Sequence, residues 1–213
     1  MRHLNPESAV RWGKPLVFAL CLGPLLALLW GLIRQDLGPN PMETLTHSTG
    51  IWALRLLLLT LAVTPLRRLL GLPWLVRFRR LLGLFAFFYA SLHFGVYLAL
   101  DRALAWEEIL KDLAERPYIT LGFAALVLLV PLAVTSTRGW VRRLGRGWQR
   151  LHRLGYVLGL LGVLHFLWLV KADLREPLIY GAVLAVLLAA RLPWGRLARL
   201  ADSARAAPQT LRR

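Results

Sequence analysis

Long apolar runs separated by short polar stretches dominate the chain. Uncharged segments run over Pro15–Ile33, Leu81–Leu100, Pro117–Thr137 and Leu154–Val170, each near the ~20 residues that a membrane-crossing helix needs. A fifth, His47–Leu66, is interrupted only by Arg55. A sixth, Pro177–Ala190, is short and reaches spanning length only if Arg191 extends its head group to the interface beside Trp194. Between the third and fourth runs, "DRALAWEEILKDLAERPY" places Trp106, Ile109, Leu110 and Leu113 at helical spacing opposite Glu107, Glu108, Lys111 and Asp112. That pattern predicts a surface-lying amphipathic helix that caps the bundle mouth. The pattern as a whole predicts an all-α integral membrane protein, a six-helix bundle.

Charge orients the bundle. The chain has 27 Lys and Arg against 11 Asp and Glu in 213 residues. In a soluble protein this excess would suggest nucleic acid, but here it is distributed by loop. The N-terminal tail, the second loop, the fourth loop and the C-terminal tail hold 20 of the 27 cations, while the alternate loops hold nine of the eleven acids. With the cation-rich side cytoplasmic, both termini lie inside and the number of spans is even. The nine tryptophans cluster near the expected span ends, where amphipathic rings prefer the headgroup level. Expected boundaries are a cytoplasmic tail at 1–14, a transmembrane domain at 15–194 and a basic cytoplasmic tail at 195–213. The first apolar run is followed by "RQDLGPNP" rather than a small-residue cleavage site, so it reads as a span and not a signal peptide.

Cys21 is the single cysteine, which excludes an intramolecular disulfide, a C-x-x-C redox pair and a C-x-x-C-H haem attachment. The chain shows no phosphate-cradling glycine loop, no dinucleotide fingerprint and no internal repeat. Its chemistry must come from polar groups at membrane depth, which are costly enough there to be functional candidates: His47, Arg55, His93, His152 and His165.

His93 lies thirteen residues after Arg80 and His165 twelve after Arg153. At about 1.5 Å per residue, both rings sit roughly 18–20 Å from the cytoplasmic border, on spans that run in the same direction. Two imidazoles at one level suit the axial positions of a non-covalently held b-type haem. The competing reading for each ring is a hydrogen bond to a neighbouring backbone carbonyl. His152 lies at the inner border among Arg150 and Arg153. Thirteen steps of ~100° leave it about 140° from His165 on a continuous helix, so spacing alone does not stack the two rings. Arg55 suits a haem propionate or a quinone head through its planar fork, against a plain pairing with carbonyls inside the bundle.

The stretches "HSTGIWALRLLLLTLAVTPLRR", "RRLLGLFAFFYASLHF", "RPYITLG" and "TSTRGWVRRLGRGWQRLHRLGYVLGLLGVLHFLWLVK" resemble the MsrQ (YedZ) family, haem-binding membrane subunits of periplasmic protein-methionine-sulfoxide reductase systems. More distantly the chain is similar to ferric-reductase transmembrane domains. The resemblance implies a bacterial inner-membrane protein with haem b and flavin mononucleotide (FMN). It implies electrons drawn from the quinone pool or a cytoplasmic flavin reductase and delivered to a periplasmic molybdopterin catalytic subunit. The residues it implies as ligands are His93, His165 and, at an inner position, His152. A stand-alone transmembrane ferric reductase and a haem-free transporter or scaffold are the alternatives that the residues leave open.

Overall fold

The computed structural model describes residues 6–192. Its helices are α1 (Pro6–Ile33), α2 (Pro41–Leu70), α3 (Val76–Val96), α4 (Trp106–Glu115), α5 (Pro117–Val134), α6 (Arg138–Leu144), α7 (Arg146–Leu151), α8 (Leu154–Leu169) and α9 (Arg175–Ala189). No strand occurs among the described residues.

Local chemistry sets the helix ends. Pro41 opens α2 and Pro117 opens α5, positions where a missing N–H costs nothing. The Asn40 side chain accepts from Glu43 N at 3.3 Å and donates to Glu43 Oε2 at 3.1 Å, closing the start of α2 on itself. At the other end Gly71, with φ 65°, turns the chain while its N–H reaches Arg67 O.

Among the described residues, five segments are long and apolar enough to cross a membrane: Glu7–Ile33, Pro41–Leu70, Pro73–Asp101, Pro117–Val134 and Arg146–Leu169. The sixth expected run forms α9, of 15 residues, about 22 Å at 1.5 Å per residue and shorter than the ~30 Å hydrocarbon layer. Trp194 and the basic tail lie outside the described residues. α1 begins at Pro6, so the described part of the expected N-terminal tail is already helical and continuous with the first span.

Two apolar clusters meet on α2. Cys21 of α1, Leu56 and Leu57 of α2, Phe85, Ala86 and Tyr89 of α3, Leu129 of α5 and Leu158 of α8 form one. The other joins Ile51, Leu54, Leu58 and Leu61 of α2 to Val163 and Phe166 of α8 and Leu184 of α9. α2 is therefore the hub, with α3 and α8 on two of its faces. Tyr89, fully buried, ties α1 to α3: its hydroxyl donates to Cys21 O at 2.8 Å and accepts from Leu25 N at 3.0 Å. Those two backbone groups are the acceptor and donor of one turn of α1 beside Pro24, so the hydroxyl docks α3 onto that turn.

The outer connection between α3 and α5 differs from its periodicity. α3 runs into a π turn over Tyr97–Asp101, and Ala103 and Leu104 then take φ of 47° and 60°, turning the chain into α4. On α4 the buried residues are Ile109 and Asp112, while Trp106 and Leu110 are exposed. The apolar arc is split between protein and surroundings. Asp112, expected on the polar face, is buried because Arg102, Arg116 and the Tyr97 hydroxyl converge on its carboxylate.

Candidate cofactor site

α2 and α3 lie antiparallel, as do α5 and α8. Each pair presents one histidine near the C-terminal end of its second helix, against the first turns of its first helix. His93 Nδ1 lies 2.9 Å from Thr46 O, and His165 Nδ1 lies 2.6 Å from Tyr118 O. A carbonyl can only accept, so Nδ1 donates in both cases. The neutral ring then carries its lone pair on Nε2, the tautomer of a metal-ligating histidine whose other nitrogen is held by a backbone carbonyl.

The two rings meet edge to face, with centroids 6.1 Å apart and planes at 79°. An imidazole–metal bond is about 2.0–2.1 Å and a ring nitrogen lies about 1.1 Å from its centroid, so rings sharing one ion have centroids roughly 6.2–6.4 Å apart. The observed separation meets the distance part of that requirement. Among the described residues no three His, Cys, Asp or Glu side chains come together as a metal site. Two histidines suffice only when the bound group brings its own equatorial ligands, as a haem does. The residues present therefore fit such a group.

Residues 49–163 match the family described as "Ferric reductase like transmembrane component". A protein of Xanthomonas axonopodis pv. citri (strain 306), named protein-methionine-sulfoxide reductase heme-binding subunit MsrQ, is 52% identical over 205 residues, covering 93% of this chain and 94% of the relative. Proteins of the same name from Xanthomonas campestris pv. campestris (strain 8004) and Ralstonia nicotianae (strain ATCC BAA-1114 / GMI1000) are 54% and 53% identical. They cover 90% and 89% of this chain and 90% and 88% of themselves. The chain belongs to the MsrQ family.

Within this MsrQ-family chain the other candidate residues lie apart from the His93 and His165 rings. His152 sits at the C-terminus of α7, where the backbone stays helical but its hydrogen bonds tighten from four residues to three before α8 begins at Leu154. Its ring stacks on Trp148 with centroids 4.0 Å apart, and its Nε2 lies 3.2 Å from Thr135 Oγ1. Thr135 Oγ1 donates to Pro131 O at 2.6 Å and Trp148 Nε1 donates to Thr135 O at 2.9 Å, so this histidine is joined to the end of α5. Arg55 donates from Nε to the Tyr180 hydroxyl at 2.8 Å, and its guanidinium lies 5.1 Å from the Trp52 ring centroid. His47 is half exposed and lies 3.8 Å from Glu176.

Sequence reasoning missed the residues that hold the rings, although a signal for them exists. "LGLFAFFYASLHF" ends at Phe94 and "LGYVLGLLGVLHF" at Phe166, sharing Leu-Gly, eight residues, then Leu-His-Phe. His93 lies 47 residues after Thr46, and His165 lies 47 residues after Tyr118. The chain does carry an internal correspondence, contrary to the reading of its sequence as free of repeats. It consists of two like-oriented helical hairpins, each contributing one histidine and one carbonyl.

Proposed function

We propose that this chain is the haem-binding electron-transfer subunit of a protein-methionine-sulfoxide reductase system, in which His93 and His165 would hold one b-type haem. The observation that carries this reading is the meeting of the two rings at 6.1 Å, each with Nδ1 turned to a carbonyl. When bound, the haem supplies one-electron chemistry. The chain's own residues hold the two rings at one level and in one tautomer, and the surrounding apolar helices exclude water from the site.

Six spans, with both termini cytoplasmic in a bacterial inner membrane, follow from the charge distribution and make α9 a short sixth crossing. In that orientation the His93–His165 level lies toward the periplasmic side, so electrons entering from the quinone pool or a cytoplasmic flavin reductase leave outward. The acceptor is the periplasmic molybdopterin subunit, on which sulfoxide reduction itself takes place. His152, at the inner border, is the ligand proposed for any second haem, and Arg55 the partner of a cofactor carboxylate. FMN, the further cofactor that the family resemblance implies, belongs to the cytoplasmic entry side in this reading, with no residue assigned.

The test is an optical spectrum of the purified chain, oxidised and reduced, with each histidine changed to alanine. His93→Ala and His165→Ala lose the haem band and His3→Ala keeps it. Haem content untouched by both ring substitutions would sink the pairing. Reduction of chelated Fe(III) by the purified chain without its partner would point to a stand-alone ferric reductase, and colourless protein from haem-replete cells to a transporter or scaffold.

A further inference from the structure

The two histidine rings lean on helix backbone at places where no side chain intervenes. A Cβ built on Gly50 would lie 3.0 Å from both Cε1 and Nδ1 of His93, and one on Gly122 would lie 2.8 Å from the same atoms of His165. Gly50 is the fourth residue after Thr46 and Gly122 the fourth after Tyr118, so each glycine lies one helical turn beyond the carbonyl its histidine reaches, on the same face. Glycine weakens a helix interior relative to alanine, yet one stands at this position in both hairpins.

We propose that Gly50 and Gly122 are positioning residues for the two ligand rings, each leaving the gap through which an imidazole reaches the carbonyl one turn away and is locked with Nε2 free for iron. The inference rests on the reading of His93 and His165 as axial ligands and goes beyond it. It assigns the tautomer and orientation of each ring to a carbonyl–glycine pair that is repeated in the two halves of the chain. An added methyl group would push the ring off the backbone, lengthen the Nδ1–carbonyl bond and turn Nε2 away from the shared point. The contact at Gly122 is the tighter, so substitution there has the larger effect. Nothing lies within 4 Å of a Cβ at Gly23 in α1, which makes Gly23→Ala the matched control.

The experiment has two arms. In the first, Gly50→Ala, Gly122→Ala and Gly23→Ala are purified in detergent, and haem per polypeptide, the low-spin electron paramagnetic resonance signal and the midpoint potential are measured. Loss of an outer-shell partner typically weakens metal binding by about 10-fold or more. The expected result is a loss of that order, or a changed low-spin signal with a shifted potential, for Gly122→Ala and more mildly for Gly50→Ala, with Gly23→Ala unchanged. Spectra and potentials identical in all three would overturn the proposal.

The second arm needs no variant that could fail to fold. Nitrogen-15 magnetic resonance of the haem-free, histidine-labelled wild-type chain is expected to show the His93 and His165 rings protonated on Nδ1, and protonation on Nε2 would overturn it. Failure of the ligand reading shows separately, as haem retained in His93→Ala and His165→Ala.

Discussion

Arg102 Nη2 lies 2.6 Å from Asp112 Oδ2, joining the end of the π turn to the buried side of the outer helix. The same carboxylate accepts from the Tyr97 hydroxyl at 2.9 Å and meets Arg116 Nε at 3.0 Å. Asp112 thus fastens the end of α3, α4 and the start of α5 at one point, directly beyond the His93–His165 level. Removing this carboxylate takes the acceptor from three donors, but Arg116 is half exposed and Arg102 partly so, which holds the cost below that of a fully buried pair, at about 1–3 kcal/mol. Asp112→Ala is therefore expected to lower the thermal midpoint in detergent clearly. Glu108→Ala, which removes only an exposed carboxylate 3.5 Å from Arg102, changes stability by about 1 kcal/mol or less. Equal midpoints for the two variants would show that the cap does not depend on Asp112.

The Tyr89 hydroxyl predicts a second effect, on α1. Tyr89→Phe keeps the ring and removes the one group that satisfies both Cys21 O and Leu25 N. Inside a bilayer no water replaces it, and the loss of its two hydrogen bonds, offset in part as Leu25 N closes onto Cys21 O within the helix, costs about 1 kcal/mol. The expected outcome is a destabilised chain with haem content per folded molecule unchanged, measured by denaturation in detergent alongside the absorption spectrum. A fall in haem content at unchanged stability would place Tyr89 in the cofactor site instead.

The long helices and the level of the two rings are legible in the sequence because membrane solvation writes them there. A span must be apolar over a fixed length, and a histidine at depth stands out against it. Depth counted from Arg80 and Arg153 brings His93 and His165 to one height without any knowledge of packing. The groups that hold the rings are legible only in part. Thr46 and Tyr118 act through backbone carbonyls, which leave no mark on residue type, and Gly50 and Gly122 look like the ordinary glycines of membrane helices. Asp112 is misplaced by periodicity because the moment of an amphipathic helix assigns every acid to water, whereas three donors from other segments of the chain make burial tolerable here. The angular argument about His152 assumes one unbroken helix to His165. At His152–Arg153 both residues keep right-handed helical dihedrals while the hydrogen bonds tighten to three residues before α8, a change that the Arg-rich stretch around it does not announce.

Arg55 supplies a third prediction. Its partners among the described residues are a neutral hydroxyl and a tryptophan face, so its charge is uncompensated by any acid and remains available to a cofactor carboxylate. Arg55→Leu is expected to lower haem retention by about 10-fold and to shift the midpoint potential, whereas Tyr180→Phe, which removes only the hydroxyl, leaves both nearly unchanged. Wild-type haem content and potential in Arg55→Leu would reassign the residue to holding α9 against α2.

His152 lies apart from the His93–His165 pair and has different partners. Because Thr135 Oγ1 already donates its proton to Pro131 O, it can only accept from His152, which puts the ring proton on Nε2 and leaves the lone pair on Nδ1. This is the opposite tautomer to that of His93 and His165. Iron bound through Nε2 would have to displace the threonine, and iron bound through Nδ1 would have to approach from the side away from it. Thr135→Val distinguishes these cases. If an inner haem uses Nε2, removing the competing hydroxyl leaves inner haem content equal to or above that of the wild type. If His152 serves to tie α5 to α8, the same substitution destabilises the chain by roughly 1 kcal/mol, the typical net worth of one hydrogen bond, without altering haem stoichiometry. The expected result for an inner ligand is that His152→Ala removes one haem per chain while the band that depends on His93 and His165 persists. Haem stoichiometry unchanged in His152→Ala would leave the His93–His165 pair as the sole haem site.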